Sequence, residues 1–279
     1  MSSILLAGLR VVSTALNLPG PAACARLRDL GASITKVEPP SGDPLETYCA
    51  SWYGRLHAGI EVRRLDLKTQ ASREEMARLL DGADLLLTAQ RASALARLGL
   101  DPASIAARHP RLCVVSIVGH APPGDETPGH DLTYLAENGL VAPPALPATL
   151  FADMAGSERA VSTALALVIA RDRGRPASSE IVALADAAKA LAQPLAEGVT
   201  RSGSILGGGR AGYNLYAAKR GWVAVAALEP HFEKSLADSL ALSQLTQPSL
   251  AAKFALEDAD HWERWARERD LPITKVKSP

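Results

Sequence analysis

His130, Asp131 and Asp153 are side chains of the kinds that move protons, and the sequence sets them in unusual company. His130 and Asp131 follow Gly129 at the end of a proline- and glycine-rich loop, and Asp153 opens a long alanine-rich stretch. An imidazole and a carboxylate delivered by different loops can flank one carbon and exchange a proton with it from either side. Asp131, next to the histidine, would fix its tautomer or raise its basicity. Each residue also has a plainer reading. An aspartate before an alanine-rich helix serves as an N-cap, a histidine in a Pro/Gly loop is solvated, and Asp131 suits an Asx-turn. Glu229, followed by Pro230, ends a strand and begins a turn, and Arg91 and Lys68 are either anion-holding or simply solvated charges. Gly207-Gly208-Gly209 lacks the preceding strand, the following helix and the Lys-Ser/Thr ending of a phosphate loop, and reads as a hinge.

The elements that must position these groups follow from hydrophobic periodicity. Leu9 to Leu16 reads as a buried strand, Pro21 to Leu30 as a helix and Ser33 to Val37 as a second strand, a β-α-β opening. The rhythm continues with helices over Arg73 to Leu80, Ala92 to Leu98 and Pro102 to Ala107, and strands over Leu85 to Thr88 and Leu112 to Val118. Strands separated by helices predict an α/β fold with a Rossmann-like, doubly wound, largely parallel sheet whose ligands lie outside the strands' carboxyl ends. That places a ligand cleft at the loops after Val12, after Val37 and around Arg91. Loops follow Gly119 and run from Val141 to Leu150, the second with three prolines. Alanine-rich helices are predicted from about Met154 to Ala170 and from Ile181 to Glu197. Five glycines between Ser202 and Gly212 mark a linker, beyond which Gly221 to Val225 is a strand and Asp258 to Arg269 a polar helix. The domain reading is therefore 1–200 for the large domain, 201–212 for the linker and 213–279 for a second, smaller α/β domain.

Composition narrows the function classes. The 279 residues are 47% apolar and 22% charged, which is ordinary for a folded soluble chain. Thirty Lys and Arg balance thirty Asp and Glu, so no overall field favours nucleic acid or an anionic membrane, and an anionic ligand must be held by a local cluster. No apolar run reaches the roughly 18 residues of a membrane span, and the first residues lack a leader pattern, which reads as a cytoplasmic protein. Cys24, Cys49 and Cys113 are too scattered for a disulfide framework or a zinc site, and no metal is expected.

Several stretches, in order, resemble class III CoA-transferases, the CaiB/BaiF family. They are Gly8-Leu9-Arg10-Val11-Val12, Gly20-Pro21-Ala22, Asp29-Leu30-Gly31-Ala32, Lys36-Val37-Glu38, Leu65-Asp66-Leu67-Lys68, Ala83-Asp84 through Arg91 to Leu98-Gly99-Leu100, and His109-Pro110-Arg111-Leu112. Gly129-His130-Asp131, Ala152-Asp153-Met154-Ala155-Gly156 and Leu228-Glu229-Pro230-His231-Phe232 are most similar to the α-methylacyl-CoA racemase branch. The resemblance implies an enzyme acting on acyl-CoA thioesters, with His130 and Asp153 as its two acid/base residues and Asp131 and Glu229 as supporting carboxylates. It further implies CoA contacts at Arg91, Lys68, Pro21 and Ala22, coenzyme A present only as part of the substrate with no tightly bound cofactor, and an interlocked homodimer. Removing a proton α to a thioester needs a positioned base, and racemisation needs a second acid on the opposite face, which favours the racemase reading. The alternatives are a CoA transferase in which Asp153 forms an acyl anhydride, and a non-catalytic acyl-CoA-binding relative. The chain departs from the family at Pro39-Pro40, at Thr149 and at Ala155, Ser157 and Glu158, and the family's segment returning to the large domain is expected to be absent after Pro279.

Overall fold

A short apolar run becomes an interior strand when both of its faces can be covered, and the first part of the chain is built on that rule. The computed structural model describes residues 4–277, and the chain divides into two units, Met1–Ala192 and Gln193–Pro279. In the first unit Arg10–Ser13 (β1), Ser33–Glu38 (β2), Glu61–Arg64 (β3), Leu85–Thr88 (β4), Cys113–Val118 (β5) and Ser179–Ala183 (β6) form one parallel sheet in the order β3-β2-β1-β4-β5-β6. Side chains alternate along each strand and feed two cores. Val11, Ile34, Leu85, Leu87 and Val115 pack with Leu27 of the helix Pro19–Asp29 and Ala160 and Ala164 of the helix Phe151–Asp172. On the other face Val12, Val37, Leu86 and Val114 meet Met76, Leu95 and Ile105 from the helices Gln70–Asp81, Ala92–Leu98 and Pro102–Arg108. This is the doubly wound α/β sheet that the strand–helix rhythm predicts.

Two of its strands differ from the sequence reading. Residues 181–183 were expected inside an alanine-rich helix, yet Ser179–Ala183 pairs with β5 from Val114↔Ser179 to Val118↔Ala183, and the helix begins only at Leu184. Hydrogen bonding to the open edge of β5 outweighs local helix propensity there, and Val182 and Ala183 are buried by it. The charged run Glu61–Arg64 gives no apolar signal because it is the opposite edge strand, where charge protects an open edge. Residues 131–137, which lie between the two loops and carry no predicted element, form a short helix.

The second unit is a small α/β body. Tyr213–Ala217 (β7), Trp222–Ala226 (β8) and Ile273–Lys275 (β9) form an antiparallel sheet in that order. Val223 and Val225 from the sheet's buried face join Leu236, Leu250, Phe254 and Trp262 in its core, and Trp262 Nε1 donates to the Phe254 carbonyl at 2.9 Å. Helices Pro230–Ser239, Gln247–Phe254 and Ala259–Arg267 supply those residues. The glycine-rich stretch folds back on itself, with Leu206 N–H bonded to the Val199 carbonyl at 3.0 Å and Gly203 N–H to that of Gly207 at 2.9 Å. Among the described residues no helix is long and apolar enough to cross a membrane.

A buried ionic cluster ties the end of β2 to the loop after β1. Lys36 and Glu38 follow Ile34 on one face of β2, and both are fully buried. The Lys36 ammonium contacts Asp43, lies 3.0 Å from Glu38 Oε1 and 2.8 Å from His57 Nε2, while Tyr53 donates to Glu38 at 2.8 Å. His57 Nδ1 bonds the Tyr53 carbonyl at 2.7 Å, and burial lowers the imidazole's pKa, so Nε2 is the acceptor facing the ammonium. Asp43 in turn accepts from the Asn17 and Leu45 N–H groups, each at 2.9 Å. Glu38, Asp43 and His57 bring donor atoms within 4.8 Å of one another, as a metal would require, and Lys36 is the cation among them. Lys36→Met should therefore leave buried Asp43 without a counter-charge and buried Glu38 with only the more distant Arg64, 3.8 Å from its Oε2, and cost about 3–5 kcal/mol of stability. Urea denaturation at pH 7 measures this, and a loss below about 1 kcal/mol would show that the cluster does not carry the fold here.

Candidate active site

The strand order reverses direction between β1 and β4, and adjacent loops that leave a parallel sheet in opposite senses open a crevice at the strands' carboxyl ends. A cleft of about 290 Å³ lies there, wholly within the first unit. The exit of β1 contributes Leu16 and Asn17, the exit of β4 contributes Ala89, Gln90 and Arg91, and β5 contributes Val118 and Gly119. The loop 125–130, Tyr134, Asp153 and Leu184 complete it. Gln90 clasps the two lips: its Nε2 donates to the Thr14 carbonyl at 2.6 Å and its Oε1 accepts from Thr14 Oγ1 at 2.8 Å. The loop after β2 lends no side chain to the lining, although Asp43 from that loop holds Asn17 in place.

Asp153 is not an N-cap. The cap of its helix is Leu150, and Asp153 sits in the first turn. Its N–H, one of the donors that a helix start leaves unpaired, is bonded at 2.9 Å by Asp131 Oδ1. Asp131 is buried and opens the helix Asp131–Glu137, whose N-cap is His130. One bond thus joins the His130 loop to the start of the Asp153 helix. The Asp153 carboxylate has no hydrogen bond or ion pair among the described residues, and its pKa is raised to about 7, first by burial and then by the Asp131 charge. A helix N-terminus favours the ionised form; burial beside a second carboxylate wins here.

The residues singled out from sequence divide into groups. His130, Asp153 and the exposed Arg91 line the one cleft. Asp131 bonds Asp153 rather than the histidine ring. Pro21 is buried in its helix and Ala22 half-buried beside it, Lys68 is exposed beyond β3, and none of these three lines the cleft. Glu229 is the exposed N-cap of the helix Pro230–Ser239 in the second unit. Tyr134, one helical turn beyond His130, also lines the cleft, and sequence reasoning gave it no role. Its signal lay in the spacing, once residues 131–137 are known to be helical.

Comparison with known proteins bears on the same arrangement. The chain is 32% identical over 206 residues to the Mycobacterium tuberculosis protein named Probable fatty acyl-CoA transferase Rv3272, covering 67% of this chain and 52% of that protein, so it spans about half the length of this relative. It is 28% identical to the alpha-methylacyl-CoA racemase of Mus musculus, over 99% of this chain and 74% of that one. The crystal structure of Rv3272 superposes with a TM-score of 0.84 at 23% identity, covering 98% of this chain and 83% of that one, and shares the fold. The CoA-transferase family III model matches residues 6–279, and with the shared order of motifs along that span the chain belongs to CoA-transferase family III.

Proposed function

We propose that this chain binds an acyl-CoA thioester in the cleft and abstracts and returns its α-proton, interconverting the two configurations of a 2-methylacyl-CoA. The observation that carries this reading is that His130 and Asp153 line the same cleft, with the Asp153 carboxylate free of any hydrogen-bond partner among the described residues. A carboxyl group with a pKa of about 7 is half ionised at neutral pH and, once ionised, a stronger base than an ordinary carboxylate. In one direction the Asp153 carboxylate takes the α-proton, the C–H electron pair forms the enolate double bond, and the carbonyl π pair moves to the thioester oxygen. His130 in its protonated form then returns a proton to the opposite face, and the roles reverse for the other enantiomer. Arg91 at the cleft's edge supplies fixed positive charge for the anionic CoA. The substrate carries the CoA.

A second reading is favoured by the relative named a fatty acyl-CoA transferase, which the chain resembles at higher identity than it does the racemase. In it the Asp153 carboxylate attacks the thioester carbonyl and the C–S bond breaks with CoA leaving as the thiolate; the thiolate attacks the aspartyl carbonyl of the resulting anhydride, releasing the donor acid and leaving an Asp153–CoA thioester. The acceptor carboxylate then displaces CoA to form a second anhydride, and the thiolate attacks its acyl carbonyl, giving the new acyl-CoA and free Asp153.

Solvent deuterium exchange from the separate R and S thioesters distinguishes the two. Asp153→Ala should lower exchange by a factor of roughly 100 or more while remaining folded. His130→Ala should suppress deprotonation of one enantiomer far more than the other; equal loss for both, or none, counts against the two-base mechanism, and an anhydride trapped by hydroxylamine would establish the transferase.

The pH profile tests the base itself. Asp153 acts as base only when ionised, so exchange that it initiates should rise with pH to a midpoint near 7. Asp131→Asn keeps an oxygen for the Asp153 N–H but removes the charge that helps raise the pKa, and the midpoint should move to lower pH. A midpoint that stays put or moves up would remove Asp131 from the electrostatics of the site.

A further inference from the structure

Tyr134 lines the cleft with a side chain that is almost wholly buried yet ends in a polar group. Only 2% of the residue is exposed, and its ring is part of the sheet's core. Its hydroxyl has no hydrogen-bond partner among the described residues, and the oxygen is not sealed in the core: it is the part of the side chain left open to the cleft. A donor fixed on a rigid ring at the cleft wall, with no protein acceptor to satisfy it, is free to bond the acceptor of a ligand. The hydroxyl sits where the backbone makes room for it. A Cβ on Gly119 would lie 2.4 Å from this oxygen and one on Gly129 2.8 Å from it, and both glycines line the cleft. The ring is held edge-on to His120 at 5.2 Å, and the Tyr134 carbonyl accepts from Asn138 Nδ2 at 2.8 Å. Burial, and after it the nearby Asp153, Glu137 and Asp131 charges, raise the phenol pKa, so the group stays a neutral O–H donor.

From this geometry we infer that Tyr134 is a further catalytic residue, its hydroxyl donating a hydrogen bond to the thioester oxygen of an acyl-CoA whose acyl carbons face Asp153. The inference rests on the acyl-CoA reading above. It does not depend on which of the two reactions follows. Removal of the α-proton sends the carbonyl π pair onto the thioester oxygen, and attack by Asp153 on the carbonyl carbon sends the same pair to the same atom. In both cases the phenol keeps its proton and the hydrogen bond strengthens as charge accumulates. A fixed donor aimed at a developing oxyanion is worth most where water is excluded and no reorientation is needed.

Tyr134→Phe removes one oxygen that has no protein partner, so the variant should fold with an unchanged melting temperature. Its kcat for α-proton exchange or CoA transfer should fall about 100-fold or more, with KM little changed. Binding gives a readout independent of turnover. Acetyl-CoA labelled with a heavy isotope at the thioester carbonyl should show a lower carbonyl stretching frequency on the parent protein than on Tyr134→Phe. A variant with parental kcat and the parental carbonyl frequency overturns the inference and leaves the acyl-CoA reading standing. A parent protein that does not bind acetyl-CoA at all overturns that reading, and the role of Tyr134 falls with it.

Discussion

The hydrogen bond from the Asp153 N–H to Asp131 Oδ1 is the constraint on which the site depends. The two residues belong to different helices, and nothing in either helix alone would bring them together. The first turn of Phe151–Asp172 leaves N–H groups without carbonyl partners, and the helix has no side-chain cap of its own. The helix Asp131–Glu137 supplies the acceptor, and in doing so brings His130 to the cleft that Asp153 lines. The same contact keeps a second carboxylate beside Asp153 and helps to hold its proton affinity high. Structural support and chemical tuning therefore come from one side chain.

The parallel sheet supplies the rest of the frame. Every lining segment leaves the carboxyl end of a strand or belongs to an element packed against one, and the lips are bridged by Gln90 and Thr14 across the point where the strand order reverses. Interior strands covered on both faces resist local opening, so loops anchored to β1, β4 and β5 start from fixed positions.

Legibility in the sequence followed how local each signal was. Leu85–Thr88 and Cys113–Val118 were readable because an apolar run between turn residues admits few other structures. Glu61–Arg64 was not, because an edge strand is selected for charge, and Ser179–Ala183 was not, because pairing with β5 overrides an alanine-rich context. At the site, residue types pointed to His130 and Asp153, which do share a cleft. The partner of Asp131 was invisible, since its neighbour in sequence is the histidine while its bond runs to Asp153, and Tyr134 emerged only with the backbone that seats it.

The cluster under the cleft's rim has a further consequence, one of valence. An ammonium group has three N–H bonds, and Glu38, Asp43 and His57 present three acceptors to Lys36, so its coordination is complete without water or an added ion. A guanidinium, planar and forked, could not satisfy three acceptors converging on one point. Because Asn17 hangs from this closed sphere through Asp43, one wall of the cleft is set by a cation that the chain carries covalently. The position of that wall is thereby tied to the backbone of β2, which carries the cation into the cluster.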